Sequence, residues 1–375
     1  MIPDMTPSQS SLKESVRTFA REWIEPEARE YDEKGVFPYE TFRRMGEAGF
    51  LGLTVPAQYG GRGGGAQEYA ILCEEVARAS AAYIHNGHYQ TVAMLTRQGT
   101  EAQKLEFFRR LATGEWLAAT AISEPEVGSS FKQMASTARK DGPNYLLEGH
   151  KVHINDAAEA RVINFFARAP GGLTVFLVDT REPGFKIVQK MDPMGLRASP
   201  IYEFVLQGYR LPEKRRVGAE GQGLEVFFSA FNFSRIGNAS CLLGIARGAL
   251  EKAVAYARTR RVGEKTVLEF QGNRWDLAEM ATQIEGASLL RDKAAWMEDQ
   301  GENSALETSM AKLLCAEVSE MVVMRAIQLT GSYGCYRQAP FERYLRDAKT
   351  LCIAGGTLEV MKNTIAARLL PEGEV

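Results

Sequence analysis

The chain has 375 residues, 45% of them hydrophobic and 25% charged, and its 45 lysines and arginines nearly balance 47 aspartates and glutamates, for a formal net charge of -2. So even a balance argues against a nucleic-acid or membrane surface as partner, and no apolar run reaches membrane-spanning length. At this length two or three domains are expected.

Five cysteines, Cys73, Cys241, Cys315, Cys335 and Cys352, lack CxxC spacing and an accompanying histidine cluster. That argues against a metal site or a disulfide framework and for free thiols in a reducing compartment. The N-terminus has no apolar segment behind basic residues, so a cytoplasmic protein is expected.

Leu12, Val16, Phe19 and Trp23 recur at helical spacing and predict a helix ending near Pro26. Phe42, Met45, Phe50 and Leu53 mark a second, short helix closed by Gly49 and a turn from Gly52 to Pro56. The glycine-rich run from Gly60 to Gly65 reads as a connector, because no lysine-serine pair or strand-loop-helix context makes it a phosphate cradle. From Tyr69 to about Ala112 the pattern is helical again, through Ile71, Leu72, Val76, Val92, Leu95, Leu105, Phe108 and Leu111. His85 and His88 in this stretch read as structural or surface residues.

After Trp116 the character changes. Tyr145 to Ile154 reads as strand, turn, strand with Glu148-Gly149 at the bend, and Arg161 to Arg168, Leu173 to Val178 and Phe204 to Leu206 are further strands. No helix of crossover length separates them, which predicts an antiparallel or barrel-like β domain. Gly218, Gly221 and Gly223 punctuate its exit. Long helical stretches follow at Val226 to Thr259, Leu268 to Asp299 and Ser304 to Thr330, and their short polar turns suggest an antiparallel bundle.

Near the C-terminus, Ile353-Ala354-Gly355-Gly356-Thr357-Leu358-Glu359 sets two glycines before a hydroxyl residue and a last helix carrying Met361, Ile365 and Leu369. Glycines let a backbone approach a ligand, and a helix N-terminus favours oxyanions. Alone, the stretch is most simply a tight turn.

Domain order and motifs together resemble the acyl-CoA dehydrogenase family of flavoproteins over nearly the whole chain. The resemblance rests on Gly49-Phe50-Leu51-Gly52-Leu53 with Tyr59-Gly60-Gly61, Ala121-Ile122-Ser123-Glu124-Pro125 through Gly128-Ser129-Ser130, and Gly149-His150-Lys151-Val152-His153-Ile154-Asn155. Arg260 with Gln271, Gln328 with Gly331 and Gly334, Arg346-Asp347-Ala348 and Gly356-Thr357 complete the series in order. It implies an α+β, mainly α fold: an N-terminal helical domain (1–116), a middle antiparallel β-barrel-like domain (117–223) and a C-terminal four-helix bundle (224–375).

The resemblance also implies FAD. Ile122, Ser123 and Gly128 would lie along the flavin, and Ser129 near phosphate or substrate. His153 and Asn155 would replace the usual Trp and Thr beside the ring. Arg260, Gln271, Gln328 and Gly331 would hold the nucleotide across a subunit boundary, which implies a homotetramer built as a dimer of dimers. Thr357 and Glu359 would add flavin contacts. Gly263 stands where an aromatic residue is expected three positions after Arg260, so adenine packing is expected to differ.

One departure bears on the chemistry. Most family members abstract the substrate α-proton with a glutamate directly before the Gly-Thr pair, here Gly355; others place it directly before the helical arginine Arg235, here Ser234. General-base catalysis contributes roughly a hundred- to ten-thousand-fold, so ordinary fatty acyl-CoA dehydrogenation is not expected. Candidate groups at the centre are Gly355, whose N–H would polarise a thioester carbonyl, Ser234 and His153; Ser129, Asn232, Arg235, Gly355 and Gly356 would contact substrate. The expected function is an FAD-dependent CH-CH oxidoreductase acting on an unusual acyl-CoA or acyl carrier protein thioester, with enoyl reduction in view and an electron-transfer flavoprotein as a possible redox partner. A flavin-dependent monooxygenase and a non-catalytic subunit that binds acyl thioester or FAD are the alternatives. Restoring the carboxylate by Gly355→Glu is expected to add dehydrogenase activity.

Overall fold

The computed structural model describes residues 4–84, 87–130 and 133–370, and His85 lies outside them. The first helix, α1 (Pro7–Phe19), starts at a capping box in which Thr6 and Gln9 satisfy each other's backbone N–H groups. It buries Leu12, Val16 and Phe19 as their spacing predicts. Trp23 departs from that face: the chain continues as a π-helical turn over Ala20–Ile24, which puts an extra residue into the turn. Trp23 is left 40% exposed with the Arg44 guanidinium 3.9 Å above its ring.

Five more helices follow, α2 (Ala28–Lys34), α3 (Tyr39–Glu47), α4 (Ala66–Ala77), α5 (His88–Gln98) and α6 (Glu101–Ala112). Phe108 and Leu111 are buried on α6, but Leu105 is 70% exposed and does not belong to the core. His88 is fully buried, and burial lowers its imidazole to about 4. It is a structural residue.

The middle of the chain forms one eight-stranded sheet. Its strands are β1 (Ala118–Ala121), β2 (Thr137–Asp141), β3 (Asn144–Asn155), β4 (Val162–Ala169), β5 (Gly172–Asp179), β6 (Phe185–Lys190), β7 (Ile201–Pro212) and β8 (Arg216–Val217). The order is β6-β7-β3-β2-β4-β5-β8, with β1 paired to β4. Most pairs are antiparallel, but β1 and β2 each meet β4 in parallel. The Glu148-Gly149 pair is no turn; β3 runs straight through it with a bulge against β7. Gly149 is needed for close packing, since a Cβ there would lie 2.3 Å from Ser136 Oγ and 2.7 Å from the Phe165 ring. The actual reversal between β2 and β3 is at Gly142, in left-handed backbone.

The C-terminal part contains α7 (Gly223–Thr259), a hairpin of β9 (Arg261–Val262) and β10 (Lys265–Thr266), then α8 (Gln271–Asp299), α9 (Ala305–Thr330), α10 (Phe341–Ile353) and α11 (Leu358–Leu369). Among the described residues no helix is long and apolar enough to cross a membrane. A buried ion network joins the N-terminal helices to this bundle: Glu74 on α4 meets Arg247 on α7 and Arg291 on α8, each at 2.8 Å. Burial opposes the Glu74 charge, but the arginines prevail and hold its carboxyl at about 2.

Removing one member of such a network leaves the others buried and uncompensated. Glu74→Gln is expected to destabilise the fold by about 3–5 kcal/mol, read as a lowered urea midpoint with an unchanged m-value.

Candidate functional site

The glycine turn after α10 is held by cations. Gly355 (φ 69°) and Gly356 (φ 100°) occupy left-handed backbone, which only glycine adopts without strain. Lys312, fully buried on α9, donates from Nζ to the carbonyl oxygens of Ala354 and Gly356. Arg235, on α7, donates from Nε to the Gly355 carbonyl at 3.3 Å, and its guanidinium lies 4.0 Å from the Phe231 ring centre. Three successive carbonyls beyond the helix end are thus satisfied by two side chains. Burial, then the nearby Arg235 charge, lower Lys312 from 10.5 to about 7, and burial lowers Arg235 to about 10. Neither is paired with a carboxylate among the described residues.

The Gly355 N–H donates to no group among the described residues. Thr357 caps α11 by accepting from Val360 N–H at 3.4 Å, and Glu359 stands exposed in the first turn of that helix. Ser234, half-buried beside Arg235, forms no hydrogen bond that would activate its hydroxyl among the described residues. Asn232 donates its amide to Ser304 Oγ at 3.3 Å, toward the α8–α9 connection.

A residue missed in the sequence explains how the turn is filled. A Cβ at Gly355 would lie 2.2 Å from Nδ2 of Asn238, which is one turn along α7 from Ser234 and Arg235 and 6% exposed. Its side chain takes the place where a side chain at 355 would begin. The spacing from Arg235 to Asn238, three residues on one helix, was the available signal. Gly355→Glu therefore meets two obstacles, the left-handed backbone and Asn238.

A second group forms at one end of the sheet. Glu124, 5% exposed, accepts from Lys151 Nζ at 2.7 Å, from Ser136 Oγ at 2.5 Å and from the Ala135 and Ser136 N–H groups. Lys151, from β3, also donates to the Ile122 carbonyl at 3.1 Å, and Val152 N–H donates to the Ser123 carbonyl at 3.0 Å. The loop after β1 is thereby fastened beside the end of β3, which brings Ile122 and Ser123 to His153 and Asn155. Gly128 and Ser129 lie in an exposed loop, with nothing within 4 Å of a Cβ at Gly128. His153 is exposed at a bulge with φ 59°, an uncommon backbone for a non-glycine residue. Asn155 donates Nδ2 to Ser199 Oγ at 3.0 Å, and Ser199 donates to Asp156 at 3.0 Å. Asp156 is fully buried, and burial, then the Glu159 charge, push its carboxyl well up. No periodicity marks such a residue.

Arg260, Gln271, Gln328 and Gly331 are all exposed. They lie at the end of α7, the start of α8 and the end of α9. Within one chain they do not join the other two groups. At the sheet end, the half-buried apolar Ile122, the fastened Ser123 backbone and the open Gly128-Ser129 loop are of a chemistry that fits a flavin.

Comparison with known proteins bears on the whole chain. Family models described as acyl-CoA dehydrogenase, N-terminal, middle and C-terminal domain, match residues 6–115, 119–209 and 221–370. An acyl-CoA dehydrogenase of Bacillus subtilis is 35% identical, covering 98% of this chain and 99% of its own. An acryloyl-CoA reductase (NADH) of Anaerotignum propionicum is 34% identical over 98% of this chain and 95% of its own. The structure of butyryl-CoA dehydrogenase from Megasphaera elsdenii superposes with a TM-score of 0.95 at 31% identity, covering 99% of this chain and 100% of that one.

The Lys312 clamp predicts a pH effect. With its folded value near 7 and its ordinary value at 10.5, the unfolded chain binds more protons between these limits, so this residue makes stability rise with pH across that window. Lys312→Met is expected to remove that rise, so the gap in urea midpoint between wild type and variant widens from pH 7 to pH 9.5.

Proposed function

The chain belongs to the acyl-CoA dehydrogenase family, and from that premise we propose that it is an FAD-dependent oxidoreductase of an unusual acyl thioester, working as an enoyl-thioester reductase and not as an ordinary fatty acyl-CoA dehydrogenase. Acting on the CH-CH bond of an acyl thioester is the chemistry of its relatives, which include dehydrogenases and an acryloyl-CoA reductase. The observation that sets the chain apart from an ordinary dehydrogenase is the filled base position: Gly355 has no side chain, Asn238 holds its space, and Ser234 replaces the alternative carboxylate. Reduction runs the α-proton transfer in reverse and needs a proton donor at the product α-carbon, and neither Gly355 nor Ser234 supplies a carboxylate for it.

Ile122, Ser123, Gly128, Ser129, His153, Asn155, Thr357 and Glu359 would hold the flavin, and Arg260, Gln271, Gln328 and Gly331 its nucleotide part from the next subunit. When bound, FAD supplies the hydride chemistry. The free Gly355 N–H is a donor for the thioester carbonyl, and such a donor, fixed in place before reaction, stabilises developing negative charge. Phe227, Phe228 and Phe231 form an aromatic wall on α7, with Phe227 and Phe231 centroids 4.3 Å apart and Phe228 55% exposed. Such a wall suits an apolar acyl chain. A proton for the product α-carbon would come from water or His153.

A homotetramer is the proposed assembly. Val262, Phe270, Trp275, Leu289, Met324, Tyr333 and Tyr336 are 40% or more exposed on the C-terminal helices and their connections, which is the apolar surface a subunit contact covers. Free thiols at all five cysteines suit the cytoplasm. The thioester is carried by CoA or an acyl carrier protein, and an electron-transfer flavoprotein is the proposed electron partner.

Anaerobic mixing of FAD-loaded protein with saturated and enoyl thioesters, followed by flavin absorbance, tests the direction. Reoxidation of prereduced flavin by enoyl thioesters is expected; rapid bleaching by saturated thioesters would sink the reductase reading. In the same assay Gly355→Glu alone is expected to gain less than about tenfold in bleaching rate, whereas Gly355→Glu with Asn238→Ala gains about a hundredfold or more, the lower range of general-base catalysis. A large gain from the single change would mean that Asn238 yields freely.

A further inference from the structure

Two buried polar groups at the glycine turn are left with unmet hydrogen-bonding capacity. Asn238, 6% exposed, forms no hydrogen bond among the described residues, so its amide is open to a ligand. Arg235, also 6% exposed, uses only Nε, on the Gly355 carbonyl, and pairs with no carboxylate among the described residues. A cation so little exposed and without a counter-charge favours an anionic ligand. Both stand against the glycine turn: Asn238 Nδ2 lies 2.2 Å from a Cβ position on Gly355, and an Arg235 terminal nitrogen 3.3 Å from one on Gly356.

We infer that Arg235 and Asn238 form a subsite for a carboxylate carried on the acyl part of the thioester. This rests on the acyl-thioester reading above and narrows its substrate class to acyl groups that bear a second, ionised acid. Arg235 carries donors alone, and Asn238 sets its amide nitrogen, a donor, against the turn. Arg235 offers two free terminal nitrogens in a planar fork and Asn238 an amide N–H, a set that matches the two oxygens of a carboxylate and has little to offer an alkyl end. Both groups stand on one face of α7, three residues apart, and are held there: Phe231 supports the guanidinium from one side, and Lys312 fixes the turn on which Arg235 leans. Gly355 has no side chain to reach this pair, so the negative charge comes from the ligand. Phe231, beside the Arg235 guanidinium, would line the path of the carbons between the thioester and the acid.

The test uses FAD-loaded protein and isothermal titration with succinyl-CoA, its neutral amide counterpart succinamyl-CoA, and butyryl-CoA. Succinyl-CoA is expected to bind roughly ten- to a hundredfold more tightly than either neutral thioester, as charged hydrogen bonds require. Asn238→Leu, similar in volume, is expected to shrink that ratio severalfold, and Asn238→Asp to reverse it, with FAD content and melting temperature confirming that both variants fold. Equal binding of all three thioesters by the wild type would overturn the subsite and leave the acyl-thioester reading standing. A ratio that survives in both variants would overturn the assignment to this pair. Binding of none of the three would overturn both readings.

Discussion

The site depends on Lys312 being buried with backbone carbonyls as its partners. A helix end leaves its last carbonyls without intrahelical donors, and here Lys312 reaches from the neighbouring helix α9 to take the oxygens of Ala354 and Gly356. Arg235 takes the one between them. The turn can then run through two left-handed glycines with its carbonyls satisfied, and the Gly355 N–H is left without an acceptor among the described residues. Asn238 fills the space beside Gly355 because the turn is held in this position.

The end of the sheet is built by a related device with the signs reversed. A buried carboxylate, Glu124, collects one ammonium, one hydroxyl and two backbone N–H groups, enough to keep it ionised although burial opposes the charge. A buried ion pair seldom adds much net stability. What it does here is fix geometry, because Lys151 must also satisfy the Ile122 carbonyl. The two faces that would enclose a flavin are thus each pinned by one buried lysine, Lys151 in the sheet and Lys312 in the bundle.

Part of this was legible in the linear pattern and part was not, for reasons that differ by residue. Leu12, Val16 and Phe19 gave α1 correctly because the 3.6-residue period is a local property, but Trp23 was misplaced because a π turn changes the period without a mark in the composition. Glu148-Gly149 read as a bend because glycine punctuates turns; the real reason for Gly149 is the nearness of Ser136 and Phe165, one on the segment entering β2 and the other on β4. Leu105 belongs to the helical pattern with Phe108 and Leu111, and α6 forms there, but spacing alone does not tell that Leu105 faces solvent.

The sequence by itself determined the succession of helical, sheet and helical parts, the family, and the loss of a carboxylate at both expected positions, since each of these is written in residue types at fixed spacing. Only the tertiary structure decided what occupies the vacated space. Asn238 and Gly355 are more than a hundred residues apart, as are Arg235 and the turn it holds, and no local pattern links them. Whether a missing side chain leaves a hole, a water site or a new donor pair depends on which distant side chain packs against it, and packing is a property of the fold.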